Sequence, residues 1–154
     1  MIRPVALLLT AASLIGGAIF GGVLFVSAST SIEQLGADID GEAADDYSGR
    51  SASLSSDGTI VAIGAIGNDG TASNAGHARV YEWNSGTSSW DQKGADIDGE
   101  AADDYSGYSV SLSSDGTTVA IGAMGNDGTA SNAGHVRVYE WNSGTSSWDQ
   151  KGAD

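Results

Sequence analysis

The stretch "YSVSLSSDGTTVAIGAMGNDG", Tyr108–Gly128, alternates apolar and polar residues on both sides of an Asp-Gly pair. In its first half, Val110 and Leu112 share one face of an extended strand, and serines occupy the other face. Asp115-Gly116 then supplies the backbone freedom that a tight hairpin requires. The stretch therefore predicts a β-hairpin.

The second strand of this hairpin, "TVAIGA", has one thin face. Val119 and Ile121 lie on one side of the strand, whereas Ala120 and Gly122 lie on the other. Small residues on a strand permit the close approach of a neighbouring backbone. We therefore expect a second sheet to pack against this side.

The hairpin occurs twice because most of the chain is repeated. Residues 36–93 recur as residues 94–151, at a period of 58 residues and with five differences. We interpret residues 29–35 as a linker with a partial strand of a preceding repeat, and residues 152–154 as the start of a third repeat. These features indicate a piece of a longer array. The differing pairs are Arg50/Tyr108, Ala52/Val110, Ile60/Thr118, Ile66/Met124 and Ala78/Val136.

Each repeat divides into four short strands at its turns. After the hairpin and the loop "MGNDGTASNAG", a third strand is predicted at "HVRVYEW", and after "NSGTSS" a fourth at roughly "WDQKGADI". Four short strands running up and down make one propeller blade. The fold class is therefore all-β: two tandem four-stranded antiparallel propeller-like blades after an N-terminal hydrophobic helix.

The first 28 residues form a targeting segment, either a signal peptide or a membrane anchor. The uncharged run Val5–Val26 exceeds the roughly 7–15 apolar residues of a signal peptide and meets the about 20 that a spanning helix needs. Val26-Ser27-Ala28, in contrast, has the small alternate residues of a cleavage site. Both alternatives deliver the repeats outside the cytoplasm, so the expected localisation is secreted or cell surface.

Composition limits the partners. The net charge of −14 lacks the basic footprint of a nucleic-acid binder, so no nucleic acid is expected. Because the chain contains no cysteine, disulfides and zinc-thiolate sites are excluded. The membrane is a partner only if the N-terminal segment stays uncleaved.

The motif set resembles the FG-GAP repeat of integrin α-chain β-propellers. The similar residues are Ser106-Gly107, Asp115-Gly116, Gly122-Ala123-Met124 and the strand "GHVRVYEW" from Gly134, with the same set 58 residues earlier. The resemblance implies a propeller-type repeat protein. Two departures are that Met124 and Ile66 replace the family's proline and that serine replaces the aromatic residue of its Phe-Gly pair.

Calcium-binding members of this family carry several carboxylates in the loop between the first two strands. Here that loop is "SSDGT", so Asp57 and Asp115 are interpreted as hairpin formers. The segment "DIDGEAADD" is the alternative calcium site, and a solvated loop is the other interpretation of its charges. The candidate metal ligands are Asp38, Asp40, Glu42, Asp45, Asp46, Asp96, Asp98, Glu100, Asp103 and Asp104.

Catalysis is not expected. His77 and His135 start equivalent strands without an evident nucleophile, and the predicted role of each is a hydrogen bond to neighbouring backbone. The repeated tryptophans either pack within the sheets or stack on a sugar as ligand-binding residues. These tryptophans are Trp83, Trp90, Trp141 and Trp148.

The predicted function is therefore a non-catalytic interaction or adhesion module at the cell surface, with a protein or glycan as its partner. The alternative is a glycan-binding module or the non-catalytic part of a propeller hydrolase. Because a propeller typically has 4–8 blades, two blades require further repeats or self-association to complete a ring. No cofactor is expected apart from the calcium alternative.

Overall fold

The computed structural model describes residues 32–153, and this part of the chain is built from β-strands and turns. The predicted N-terminal helix and the targeting segment lie outside the described residues. Among residues 32–153 there is no helix suited to crossing a membrane. The strands are β1 (Ser48–Leu54), β2 (Ile60–Ala65), β3 (His77–Asn84), β4 (Ser89–Gln92), β5 (Ile97–Asp98), β6 (Ser106–Leu112), β7 (Thr118–Ala123), β8 (His135–Asn142) and β9 (Ser147–Gln150).

The strands form two antiparallel sheets that follow the chain order. The first sheet has the order β1-β2-β3-β4, and the second has the order β6-β7-β8-β9. The all-β prediction with two four-stranded units is thereby confirmed for the described residues. Short turns such as Asp115-Gly116 make this up-and-down order the natural outcome of the sequence.

The fourth strand was wrongly predicted to continue without a break. It ends at Gln92, and after an irregular segment β5 pairs instead with the start of β3, with Ile97 opposite Ala78. Gly94 has a positive φ of 84° inside this segment, which turns the chain out of the strand. The first sheet thus takes its fifth strand from the second sequence repeat.

A shared apolar cluster holds the two sheets together. Half of its members lie on β2 and β3, and the other half lie on β5, β7 and β8. We name this contact between the sheets the repeat junction. The cluster consists of Ile60, Ala62, Ala78, Val80, Ile97, Val119, Ile121 and Tyr139.

The thin face of β2 is the place where the sheets approach most closely. A Cβ atom added to Gly64 would overlap the backbone carbonyl of Gly107 on β6. Gly107 itself has a positive φ of 84° at the bulge between Ser106 and Ser109. The Ser51 hydroxyl donates to the same Gly107 carbonyl at 2.8 Å. The expectation that a second sheet packs on the small residues is therefore confirmed for the first repeat.

Main-chain hydrogen bonds also cross the repeat junction. The Gly99 amide donates to the Gly76 carbonyl at 2.7 Å, and the Ser106 amide donates to the Ala75 carbonyl at 2.9 Å. Gly76 and Ser106 form an isolated parallel bridge. The second sheet is consequently fixed in register by backbone as well as by apolar packing.

Equivalent positions of the two repeats differ in burial because the array leaves two faces open. Ala78 is 0% exposed under the second sheet, whereas its equivalent Val136 is 64% exposed. On the opposite side, Leu54 is 58% exposed, whereas its equivalent Leu112 packs against the apolar cluster. Within residues 32–153, each sheet therefore has one face with exposed apolar side chains.

Alanine substitutions at the equivalent glycines Gly64 and Gly122 should distinguish close packing between the two sheets from packing within one sheet. We expect Gly64→Ala to destabilise the fold by about 1–3 kcal/mol, because the new methyl group meets backbone that cannot rotate away. Gly122→Ala should cost about 1 kcal/mol or less, because its methyl group meets only the Ser109 hydroxyl. Urea unfolding of both variants measures the difference, and equal losses would contradict this packing.

Candidate functional site

The acidic segment before each sheet contains one buried carboxylate that accepts hydrogen bonds from its own segment and from a neighbouring loop. Asp46 is 4% exposed and accepts hydrogen bonds from the Ala43 amide at 3.0 Å and from the Asn68 side chain at 3.2 Å. Asp104 accepts equivalent bonds from the Ala101 amide and from Asn126. These two predicted calcium ligands therefore already have structural partners.

Other predicted ligands are dispersed along the segment. Asp38 accepts a hydrogen bond from Gln34 at 2.8 Å, and Asp103 accepts one from Asn74 of the preceding repeat at 3.0 Å. Asp45 has a positive φ of 66° in the turn that leads to β1. Asp40 contributes its main-chain carbonyl to Arg79 at 2.7 Å. The segment therefore does not gather all its carboxylates at one point.

Three of the predicted ligands do converge, and they converge on His77. Its Nδ1 atom lies 3.5 Å from Asp96 Oδ2, 4.0 Å from Glu42 Oε2 and 4.0 Å from Asp98 Oδ1. Glu42 comes from the segment before β1, His77 begins β3, and the two aspartates belong to the segment that starts the second repeat. We name this group of four residues the His77 cluster.

His77 is enclosed without a hydrogen bond. Its side chain is 1% exposed, and neither ring nitrogen has a hydrogen-bond partner. The sequence-based prediction that this histidine bonds neighbouring backbone is therefore wrong. Burial lowers the pKa of His77, and this effect outweighs the raising effect of the Asp96 carboxylate. Burial therefore disfavours the charged imidazolium form of the ring.

The carboxylates of the cluster have different surroundings. Burial, together with the charge of Asp96, raises the pKa of Asp98. Glu42 directs Oε1 toward Arg79 Nη1 at 3.6 Å and Oε2 toward His77, where the Asn68 amide also donates to Oε2 at 3.3 Å. Asp96 accepts a bond from Gln92 through its other oxygen, Oδ1, at 2.6 Å, which leaves Oδ2 facing the imidazole.

The second repeat reproduces part of this arrangement. His135 Nδ1 lies 4.0 Å from Glu100 Oε2, and Arg137 Nη1 lies 3.4 Å from Glu100 Oε1. Asp154 occupies the position equivalent to Asp96 and lies outside the described residues. To predict the His77 cluster, one must know that the start of the second repeat pairs with β3 of the first repeat.

The repeated tryptophans lie on neighbouring strands and contact the segment that links the repeats. Trp83 and Trp90 are cross-strand partners whose rings meet at a steep angle with centroids 5.3 Å apart, and Trp141 and Trp148 repeat this pair at the same separation. Trp148 Nε1 donates to the Lys93 carbonyl at 2.7 Å. This arrangement favours the packing role of the tryptophans over an open sugar-stacking platform.

Comparison with known families finds a match within the second repeat. Residues 95–139 match the family described as FG-GAP repeat. The second sequence repeat of this chain is thus similar to an FG-GAP repeat. The match runs from the segment before β5 to the middle of β8, and the equivalent residues 37–81 differ at the five positions given above. The comparison with curated proteins found no match.

The first turn of the second repeat is closed by one aspartate. Asp115 Oδ1 accepts hydrogen bonds from the Ser113 hydroxyl at 2.6 Å, from the Thr117 amide at 3.1 Å and from the Thr117 hydroxyl at 2.9 Å. Asp57 accepts the same three bonds in the first repeat. The interpretation of both residues as hairpin formers is confirmed.

The hairpin of the second repeat should weaken in acid. The Ser113 hydroxyl, followed by the Thr117 amide and hydroxyl, lowers the pKa of Asp115 from 3.8 to about 2. The ionised carboxylate therefore contributes stability above pH 3.8, and this contribution is lost as the pH falls through about 2. A carbon NMR titration should give a midpoint near 2 for Asp115 and a higher midpoint in Ser113→Ala. A midpoint of 3.8 in the wild type would contradict this hydrogen-bond network.

Proposed function

We propose that the chain is an exported, non-catalytic interaction module that works within a ring of FG-GAP repeats. The FG-GAP match and the stacked β-sheets fit a propeller-type repeat module. The observation that carries the proposal is the pair of open sheet faces, because each has a covered equivalent inside the same chain. Further repeats would come from a longer chain or from additional copies of this one.

The covered face shows how a neighbouring unit would dock. Ile60 and Ala78 of the first sheet are buried beneath the second sheet, and Thr118 and Val136 occupy the same positions on the open face. On the opposite side, Leu54 is exposed where Leu112 is packed. The open face of the second sheet is thus equivalent to the face of the first sheet on which the second sheet packs.

One differing pair also favours head-to-tail assembly. The Arg50 guanidinium carbon lies 4.3 Å from the centre of the Tyr108 ring across the repeat junction. In a head-to-tail assembly, the open face of the second sheet in one copy packs on the open face of the first sheet in the next copy. Tyr108 of the first copy then lies near Arg50 of the next copy. A cation–π contact of this kind is worth about 0.5–1 kcal/mol at an exposed site. Propellers typically have four to eight blades, which corresponds to roughly two to four copies.

The exposed loops are the proposed contact surface for a protein partner at the cell surface. The loops after β2 and β7 and the acidic segments before β1 and β6 carry exposed charged residues, including Asp69, Asp127 and Asp103. A net charge of −14 favours a partner with a basic patch. The non-catalytic assignment rests on the repetition. The candidate residues occur in both repeats, and none of them is unique to one repeat as a dedicated active site would require.

Self-association is the direct test of the open faces. The wild-type chain should form oligomers whose mass increases with concentration in light scattering. Val136→Asp should shift the protein toward monomer, because a charge at the centre of the open face opposes burial of the strand. Thr145→Asp, in the exposed turn between β8 and β9, is the control and should assemble like the wild type. A wild-type chain that stays folded and monomeric would contradict self-association.

A further inference from the structure

We propose that Glu42, His77 and Asp96 form a binding site for a divalent transition-metal ion, with Zn²⁺ as the best-fitting ion. The site is independent of the surface role proposed above and differs from the calcium alternative in its histidine ligand. Asp98 lies beside the three ligands and supplies an additional oxygen. The ion would join two consecutive repeats.

The distances between the ligand atoms suit a small ion. One atom from each of the three residues lies within 4.8 Å of the other two. Tetrahedral ligands of zinc, at about 2.0–2.2 Å from the ion, lie roughly 3.3–3.6 Å apart. His77 Nδ1 and Asp96 Oδ2 are already at 3.5 Å, and Glu42 Oε2 lies 4.0 Å from His77 Nδ1, slightly beyond this range.

The burial of His77 is the independent observation that points to a ligand. A buried polar atom without a hydrogen bond costs about 1–3 kcal/mol, so native proteins retain few of them. His77 Nδ1 is such an atom, and it is directed at three carboxylates. A metal ion between Nδ1 and these oxygens satisfies the nitrogen and neutralises the mutual repulsion of the acids.

The donor set selects the class of ion. Ca²⁺ takes six to eight oxygen ligands, whereas imidazole nitrogen together with carboxylate oxygen suits Zn²⁺ and its neighbours among the divalent transition metals. Glu42 is oriented for this role, because Arg79 faces Oε1 while Oε2 is directed at the imidazole. Gln92 similarly holds Asp96 by Oδ1 and leaves Oδ2 for the ion.

The three ligands come from separate parts of the fold. Glu42 precedes β1, His77 begins β3, and Asp96 lies just before β5, where the chain enters the second repeat. An ion held by all three would fix the linking segment against β3. Metal binding should therefore stabilise the repeat junction as well as the loop.

Zinc binding by the full-length chain, purified in detergent, tests the proposal. All proteins, including the reference that is called wild type below, carry Asp154→Asn, which removes the side-chain carboxylate at the second repeat's equivalent position. Competition with a chromophoric chelator gives the zinc affinity, and the melting temperature with and without ZnCl₂ gives the stabilisation. Loss of outer partners of a metal site already costs about 10–100-fold, so His77→Gln should weaken zinc affinity at least about tenfold and abolish the rise in melting temperature.

Matched variants locate the site. His135→Gln changes the equivalent histidine, and Asp57→Asn changes a hairpin carboxylate; both should retain wild-type zinc affinity. Asp96→Asn should weaken binding as His77→Gln does, and it serves as the ligand variant if circular dichroism shows that His77→Gln is unfolded. Excess CaCl₂ should leave zinc binding unchanged.

Three results would overturn the proposal. The first is a wild-type affinity no tighter than those of His77→Gln and Asp96→Asn. The second is an equal loss of affinity in His135→Gln. The third is full displacement of zinc by calcium, which would show an oxygen-only site.

Discussion

The close approach of Gly64 to the Gly107 carbonyl is the constraint on which the arrangement of the two sheets depends. Because Gly64 has no side chain, β6 can lie directly against β2 at this point, and the Gly107 carbonyl accepts a hydrogen bond from the Ser51 hydroxyl. Once the backbones are this close, Ile60 and Val119 can join one apolar cluster. The thin face is therefore a docking surface rather than a weak point in the strand.

Equivalent residues of the two repeats have different contacts because each sheet packs against the other through a different face. The five differing positions lie on the strands that meet at the repeat junction or at the ends of those strands. Ala78 fits beneath the second sheet, and the larger Val136 stands on a face that is open in this chain. The Arg50–Tyr108 contact likewise uses a difference between the copies. The differences therefore fall at the contact surfaces, whereas the Asp-Gly turn and the tryptophan pair are identical in both repeats.

The sequence predicted the strands and turns well because these follow from local rules. Alternation placed β6, an Asp-Gly pair placed the hairpin, and the limits of β7 agree with the predicted strand. The break after Gln92 was missed because pairing of β5 with β3 depends on a contact between repeats. The His77 cluster was missed for the same reason: Glu42 and Asp96 are far apart in the chain, and only the return of the second repeat to β3 brings them together. Long-range register, unlike a turn, leaves no local signal.

The central claim is that two consecutive repeats form one cooperative structure through the repeat junction. Hydrogen exchange of the amides that cross it is the most direct test. The account predicts that the Gly99 and Ser106 amides, which donate to Gly76 and Ala75, exchange as slowly as the amides inside β2 and β7. Exchange of these two amides at the rate of the exposed turn between β8 and β9, while β2 and β7 remain protected, would contradict the account.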